Sequence, residues 1–335
     1  MAYSWPHNIA GTSSGVQAID IHVSYSTDGG KTWTYKGPLF TSQQVTNPVT
    51  GQTDDTANEV MNLFPQVVNG VTYWYGIHSL YNLPATGSGN SESQPYSRRW
   101  EIATAAGDAD NGPMGLATAA PQYLGQSIDN ESSFPVSTNL SSLDPEVSSC
   151  AEFPEPALVM ENNNLYPFLD CVSSAGTSGM FYAVFQTPNP QANAPNWQWT
   201  YLPEGATKFA NSSDAASIGS QLGKGATYLT QMDIAQGKQS GTLLAIVTAA
   251  YNDASGKLAS VSPPQFIYDS KGQVQVDAFI TSPDSTSSGP GSCTYSPFSA
   301  TGMIIAHRQD SNAPQNSGFF HIPDAVVSYA LGATF

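Results

Sequence analysis

Apolar and polar residues alternate with a period of two along much of this chain. Ile19, Ile21, Val23 and Tyr25 alternate with Asp20, His22 and Ser24, the pattern of a strand with one face buried. The same short strands recur. Asn62–Val68 leads to Asn69-Gly70 and then to Thr72–His78, and Asn-Gly between apolar runs is a hairpin signal. Ala157–Val159 leads through Glu161-Asn162-Asn163-Asn164 to Leu165–Cys171, with Met180–Phe185 and Trp197–Tyr201 beyond. Further runs are Tyr228–Ile234, Thr242–Val247, Gln265–Tyr268, Val274–Asp277, Cys293–Ser296, Thr301–Ala306 and Gly318–Ile322. No stretch sustains a 3.6-residue period, and glycine and proline punctuate the whole chain, so the expected class is all-β.

The strands group into units of approximately 1–40, 59–106, 150–203, 226–280 and 292–331. Residues 41–57 read as a polar connector. Residues 107–147, rich in Gly, Pro, Ser and Asn, read as a long surface insertion. Phe64-Pro65-Gln66 and Phe153-Pro154-Glu155 each precede an apolar strand, a turn and an aromatic strand, a weak internal repeat. Five repeated units in a single domain predict a β-propeller of five blades. The first unit has no innermost strand ahead of Ala2–Trp5. The run Ala325–Tyr329 closing the ring there is one reading, and a chain that starts within a blade is the other.

Between the second and third strands, Ser26, Asp28, Gly30 and Trp33 fit the spacing S-x-D-x-G-x-x-W. Asp28 can accept backbone N–H groups inside the turn, the glycines can take positive φ, and Trp33 can fold back as an apolar plug. This stretch resembles the Asp-box of sialidases and other β-propeller proteins. The resemblance implies a fold rather than an activity, with Asp28 structural. Sialidases hold their substrate carboxylate with three separate arginines and use a Tyr–Glu nucleophile. Here Arg98, Arg99 and Arg308 are the only arginines, and neighbours on a strand point to opposite faces. An exo-sialidase is therefore the weaker alternative.

Charge narrows the partners. Ten Lys and Arg stand against 26 Asp and Glu, a net charge of −16 in 335 residues. Such a chain repels phosphate backbones, which excludes nucleic acid as an expected partner and disfavours anionic substrates. No apolar run reaches the roughly 18–20 residues that span a bilayer. The five histidines lack paired ligand spacing, so no metal is expected, and no phosphate-binding glycine loop calls for a cofactor. Few lysines, abundant Ser, Thr and Asn, and N-x-S/T sequons at Asn130, Asn139 and Asn211 point to a secreted, extracellular or periplasmic monomer whose leader has been removed. Cys150 and Cys171 flank the Asn-rich hairpin; a disulfide and a pair of buried thiols both remain open.

In a propeller, polar residues at the starts of inner strands meet the substrate. These are Glu59, Gln66, Glu152, Glu155, Gln231, Asp233 and Tyr295, with Tyr81 as an aromatic contact and Arg99 as a cationic one. Carboxylates from different units facing one pocket are the minimum for glycoside hydrolysis, one protonated as acid and one ionised. The third unit resembles the five-bladed glycoside hydrolases of the arabinanase and β-xylosidase type, whose general acid lies in a Glu-x-Pro segment before an apolar strand. Glu152-Phe153-Pro154 matches that spelling, whereas Glu155 better matches the distance to the turn and Tyr166. The resemblance implies Glu155 as acid, with Glu152 second, and Glu59 as the counterpart of the acidic residue that tunes it. The family's base is an Asp on the inner strand of the first blade. That strand is not evident here, leaving Asp233 or Asp20 as substitutes. The expected function is hydrolysis of neutral glycans, and the alternative is a non-catalytic propeller that binds glycan or protein.

Overall fold

In the computed structural model the described residues are 1–8, 17–28, 32–46, 51, 53–84, 99–107, 111–125, 136–153, 156–173, 176–190 and 194–203, and from 228 onward the strands alone. They form five sheets that follow the chain in order, the arrangement of a β-propeller. The first sheet holds β1 (Ala2–Asn8), β2 (Gln17–Tyr25) and β3 (Thr34–Phe40). The second holds β4 (Gln44–Thr46), β5 (Thr53–Val68), β6 (Val71–Pro84), β7 (Arg99–Gly107), β8 (Gln122–Gly125) and β9 (Thr138–Asn139). The third holds β10 (Cys150–Glu152), β11 (Pro156–Glu161), β12 (Asn164–Ser173), β13 (Gly176–Pro188) and β14 (Thr200–Leu202). The fourth holds β15 (Tyr228–Gln236), β16 (Leu243–Asn252), β17 (Leu258–Val261), β18 (Gln265–Asp269) and β19 (Val274–Phe279). The fifth holds β20 (Pro290–Ser296), β21 (Met303–Arg308) and β22 (Val326–Ala330). β22 pairs with β21, so the C-terminal run belongs to the fifth sheet and supplies no inner strand to the first.

Local chemistry explains the hairpins. Val68 pairs with Val71 and Glu161 with Asn164, leaving two-residue turns at Asn69-Gly70 and Asn162-Asn163. Both turn residues take positive φ in each case, the conformation whose twist matches that of the flanking strands. In the turn after β2, Thr32 N donates to Asp28 Oδ1 at 2.9 Å and Thr32 Oγ1 to Asp28 Oδ2 at 2.7 Å. Ser26 Oγ donates to Asp28 Oδ1 at 2.8 Å. Both carboxylate oxygens serve the turn, as a structural role requires.

Two cores join the sheets. Ile21, Val23 and Leu39 of the first sheet pack on Ala103 and Leu116 of the second unit. Tyr75, Ile77, Trp100 and Ile102 of the second sheet pack on Phe153, Leu158, Leu165 and Phe185 of the third. Cys150 and Cys171 are joined in a disulfide with Cα atoms 5.3 Å apart, buried in this second core.

Two stretches differ from the sequence reading. Residues 107–147 are not a surface insertion throughout. Leu116, Leu124, Leu140 and Val147 are buried, and β8 and β9 extend the second sheet. These apolar residues are too far apart along the chain to create a periodic signal. Nor is 41–57 only a connector. β5 already starts at Thr53, and Asp54, Asp55, Thr56 and Asn58 are buried with Ala57. Polar residues that find partners inside a sheet leave no hydrophobic pattern to read.

Candidate functional site

The long strand β5 carries two of the candidates, Glu59 and Gln66. Its pairing with β6 is regular up to Glu59, opposite Ser79, and resumes at Asn62, opposite Ile77, with an irregularity between. Val60 within it has φ of +53°, a conformation that a β-branched side chain adopts only when its surroundings enforce it. One enforcing contact is known: Val60 N donates to Ser4 Oγ of β1 at 3.2 Å. The bulge turns both Glu59 and Asn62 toward the face that carries Ala57, Ser79 and Ile77, the face that meets the third sheet.

Each of these two residues is held. Tyr81 is 3% exposed and donates its OH to Glu59 Oε2 at 3.0 Å, joining neighbouring strands of one sheet. Asn62 bridges three sheets. Its Nδ2 donates to Asp233 Oδ1 at 2.6 Å, and its Oδ1 accepts from the backbone N of Leu158 on β11 at 3.0 Å. Asp233 Oδ1 also accepts from the backbone N of Ile234 at 3.0 Å. A pairing irregularity in β15 lies between Thr230 and Asp233, so two bulged strands meet here. Two candidate carboxylates from different sheets, Glu59 and Asp233, thus flank one bulge.

The other predicted site residues divide. Gln231 lies in the irregular stretch of β15, on the strand of Asp233. Tyr295 is on β20, opposite Ile304. Glu152 ends β10 opposite Val172, just before the break that precedes β11. Glu155 lies outside the described residues. Arg99 is on β7, paired with Leu80 and Gly125 and separated from β5 by β6. Gln66 is parted from the others: it lies toward the far end of β5, about 20 Å from Glu59 at the rise of a strand, and accepts from Tyr75 OH at 3.3 Å. Asp20, the alternative base, faces elsewhere. It accepts from Ser42 N at 2.6 Å and contacts His7 Nε2 at 3.0 Å.

Sequence reasoning passed over Asn62 and Asp55. Asn62 stands in an apolar strand, where a lone amide signals a buried partner, but nothing in the sequence identifies that partner. Asp55 is 3% exposed and shares the face of Glu59. Burial, and after it the Asp54 carboxylate, push its carboxyl above the usual range, against a smaller opposing effect of Gln44. No group of three or more His, Cys, Asp or Glu suited to a metal ion occurs among the described residues.

No protein-family profile and no curated protein matches this chain. Among solved structures it is similar to an exo-1,5-alpha-L-arabinanase from a bovine ruminal metagenomic library, with 13% identity, 92% of this chain and 87% of that one covered, and a TM-score of 0.44. It is also similar to an alpha-L-arabinofuranosidase from Lactobacillus brevis, with 10% identity, coverage of 96% and 86%, and a TM-score of 0.45. A third similar structure is a Cellvibrio cellulosa alpha-L-arabinanase, at 12% identity, coverage of 82% and 76%, and a TM-score of 0.33.

Proposed function

We propose that this propeller is a glycoside hydrolase acting on neutral glycans by carboxylate acid/base catalysis, at the mouth where β5, β11 and β15 meet. The observation that carries the reading is the pair of fixed carboxylates, Glu59 under Tyr81 and Asp233 under Asn62, supplied by different sheets to one bulge. Hydrolysis needs one carboxyl to protonate the leaving oxygen and another, ionised, to activate water or attack. Glu155, immediately before β11, is assigned the acid, with Glu152 as its alternative. Asp233 is the ionised partner, since hydrogen bonds from Asn62 and the Ile234 amide suit a carboxylate. Glu59 tunes the acid. The net charge of −16 supports an uncharged substrate. The Cys150–Cys171 disulfide supports residence outside the reducing cytosol.

The test is turnover of aryl-glycoside and polysaccharide panels by the wild type and by Glu155→Gln, Glu152→Gln and Asp233→Asn. Loss of 10²-fold or more in kcat for Asp233→Asn and for one of the two Glu variants is expected. Unchanged turnover in all three, or glycan binding by a wild type that hydrolyses nothing, overturns the assignment.

A further inference from the structure

The first sheet has a second face, and it is aromatic. Tyr3 and Trp5 of β1, His22 of β2 and Tyr35 of β3 share the side opposite Ile19, Ile21 and Val23. The His22 ring centre lies 5.5 Å from that of Trp5 and 5.6 Å from that of Tyr35, with interplanar angles of 33° and 21°. Tyr3 lies 6.0 Å from His22 on the same face. Tyr35 OH and His22 Nδ1 are 2.7 Å apart, so the central ring is pinned in its plane. The flanking rings are open to solvent, Trp5 at 52% and Tyr35 at 55% exposure.

We propose that this face is a stacking platform for the rings of a neutral oligosaccharide, distinct from the carboxylate site and serving to hold a polymer beside it. The inference rests on the carbohydrate reading above but on different residues. Here polar edges interleave with the rings: the hydroxyls of Tyr35 and Tyr3, and the Asp20 carboxylate between the strands. Flat π-faces bordered by hydroxyls and a carboxylate match a sugar, which presents C–H groups on its faces and hydroxyls at its rim. The charge also fits. On a chain of net charge −16, the carboxylate of this face is engaged by His7 at 3.0 Å and by Ser42 N at 2.6 Å, which leaves the platform suited to an uncharged ligand. Burial, against the opposing effect of Asp20, holds His22 below its ordinary pKa, which favours the neutral form of the central ring.

The platform cannot be the cleavage subsite itself. Ser4, between Tyr3 and Trp5 on β1, points to the other side of the sheet and bonds Val60 beside Glu59. The sheet therefore separates the two surfaces.

Titrating the 335-residue chain with hexasaccharides of arabinose, xylose and glucose, read by tryptophan fluorescence and calorimetry, tests the proposal. At least one hexasaccharide is expected to bind, with Kd raised tenfold or more by Trp5→Ala and by Tyr35→Ala, and restored by Trp5→Phe. Turnover of a small aryl glycoside by these variants should stay at the wild-type level. Equal Kd for wild type and both alanine variants overturns the platform while leaving the hydrolase reading intact. Failure of all three sugars to bind, or concentration-dependent dimerisation abolished by Trp5→Ala, overturns it as well. Loss of turnover without change in Kd in Asp233→Asn would bear on the hydrolase reading alone.

Discussion

Asn62 of β5 and Asp233 of β15, 171 positions apart in the chain, are joined by an Nδ2–Oδ1 hydrogen bond of 2.6 Å, while the other end of the same amide holds the Leu158 N–H. One side chain thereby ties three sheets at the point where two strands are bulged. Asn62→Ala should cost about 2–3 kcal/mol, because it removes two hydrogen bonds, one of them to a carboxylate, and takes the acceptor from the Leu158 N–H. Denaturant unfolding measures this. Asn62→Asp should be more informative still. It puts two carboxylates in contact, so its deficit should grow as pH rises from about 4 to about 7, where both ionise. A pH-independent deficit would show that the contact is not made in solution.

Tyr81 holds Glu59 by donating its OH to the carboxylate. Tyr81→Phe keeps the packing of a ring that is 3% exposed and removes the hydroxyl that donates to Glu59. The fold should lose about 1 kcal/mol. Turnover of an aryl glycoside should fall by about tenfold, as expected when a charged group near the chemistry loses its orientation. Steady-state kinetics of Tyr81→Phe beside Glu59→Gln would distinguish positioning from mere stability, since the double variant should be no slower than Glu59→Gln alone.

Asp55 carries a stability cost in the fold. Burial first, and Asp54 second, raise its pKa above the unfolded value, and its Oδ2 meets no donor among the described residues. As pH rises above the ordinary aspartate range, the unfolded chain releases this proton while the folded one retains it. The fold therefore loses stability as pH climbs toward the raised pKa. Asp55→Asn should raise Tm by about 1–2 °C at neutral pH, a gain of roughly 1 kcal/mol, and the gain should shrink toward pH 4. Thermal melts across that range check both the sign and the trend.

The Cys150–Cys171 disulfide closes a loop with a sequence separation of 21 and holds β10 against β12 in the core. Cys150→Ser with Cys171→Ser should cost about 3 kcal/mol. The same loss should follow from reductant added to the wild type under partially denaturing conditions. Equal stability with and without reductant would show that the bond does not form.

Much of the fold was determined by local signals. Alternation at Ile19–Tyr25, the paired turns at Asn69-Gly70 and Asn162-Asn163, and the Asp28 turn each carry their physics within a few residues. Strands and hairpins could therefore be read directly. Glu59 and Asp233 stand out in the sequence as candidates because they are ionisable residues in apolar strands. What the sequence did not determine is which of them share a place. Gln66 and Glu59 lie on one strand, yet the rise per residue carries them apart. Asp233 reaches β5 only through Asn62, a contact between sheets that no spacing encodes. The buried polar start of β5 and the scattered leucines of 107–147 were likewise decided by packing, since their partners come from other strands. Local sequence set the strands and their turns. Only the juxtaposition of sheets selected the amide that joins them, the carboxylates at the bulge and the aromatic face left open to solvent.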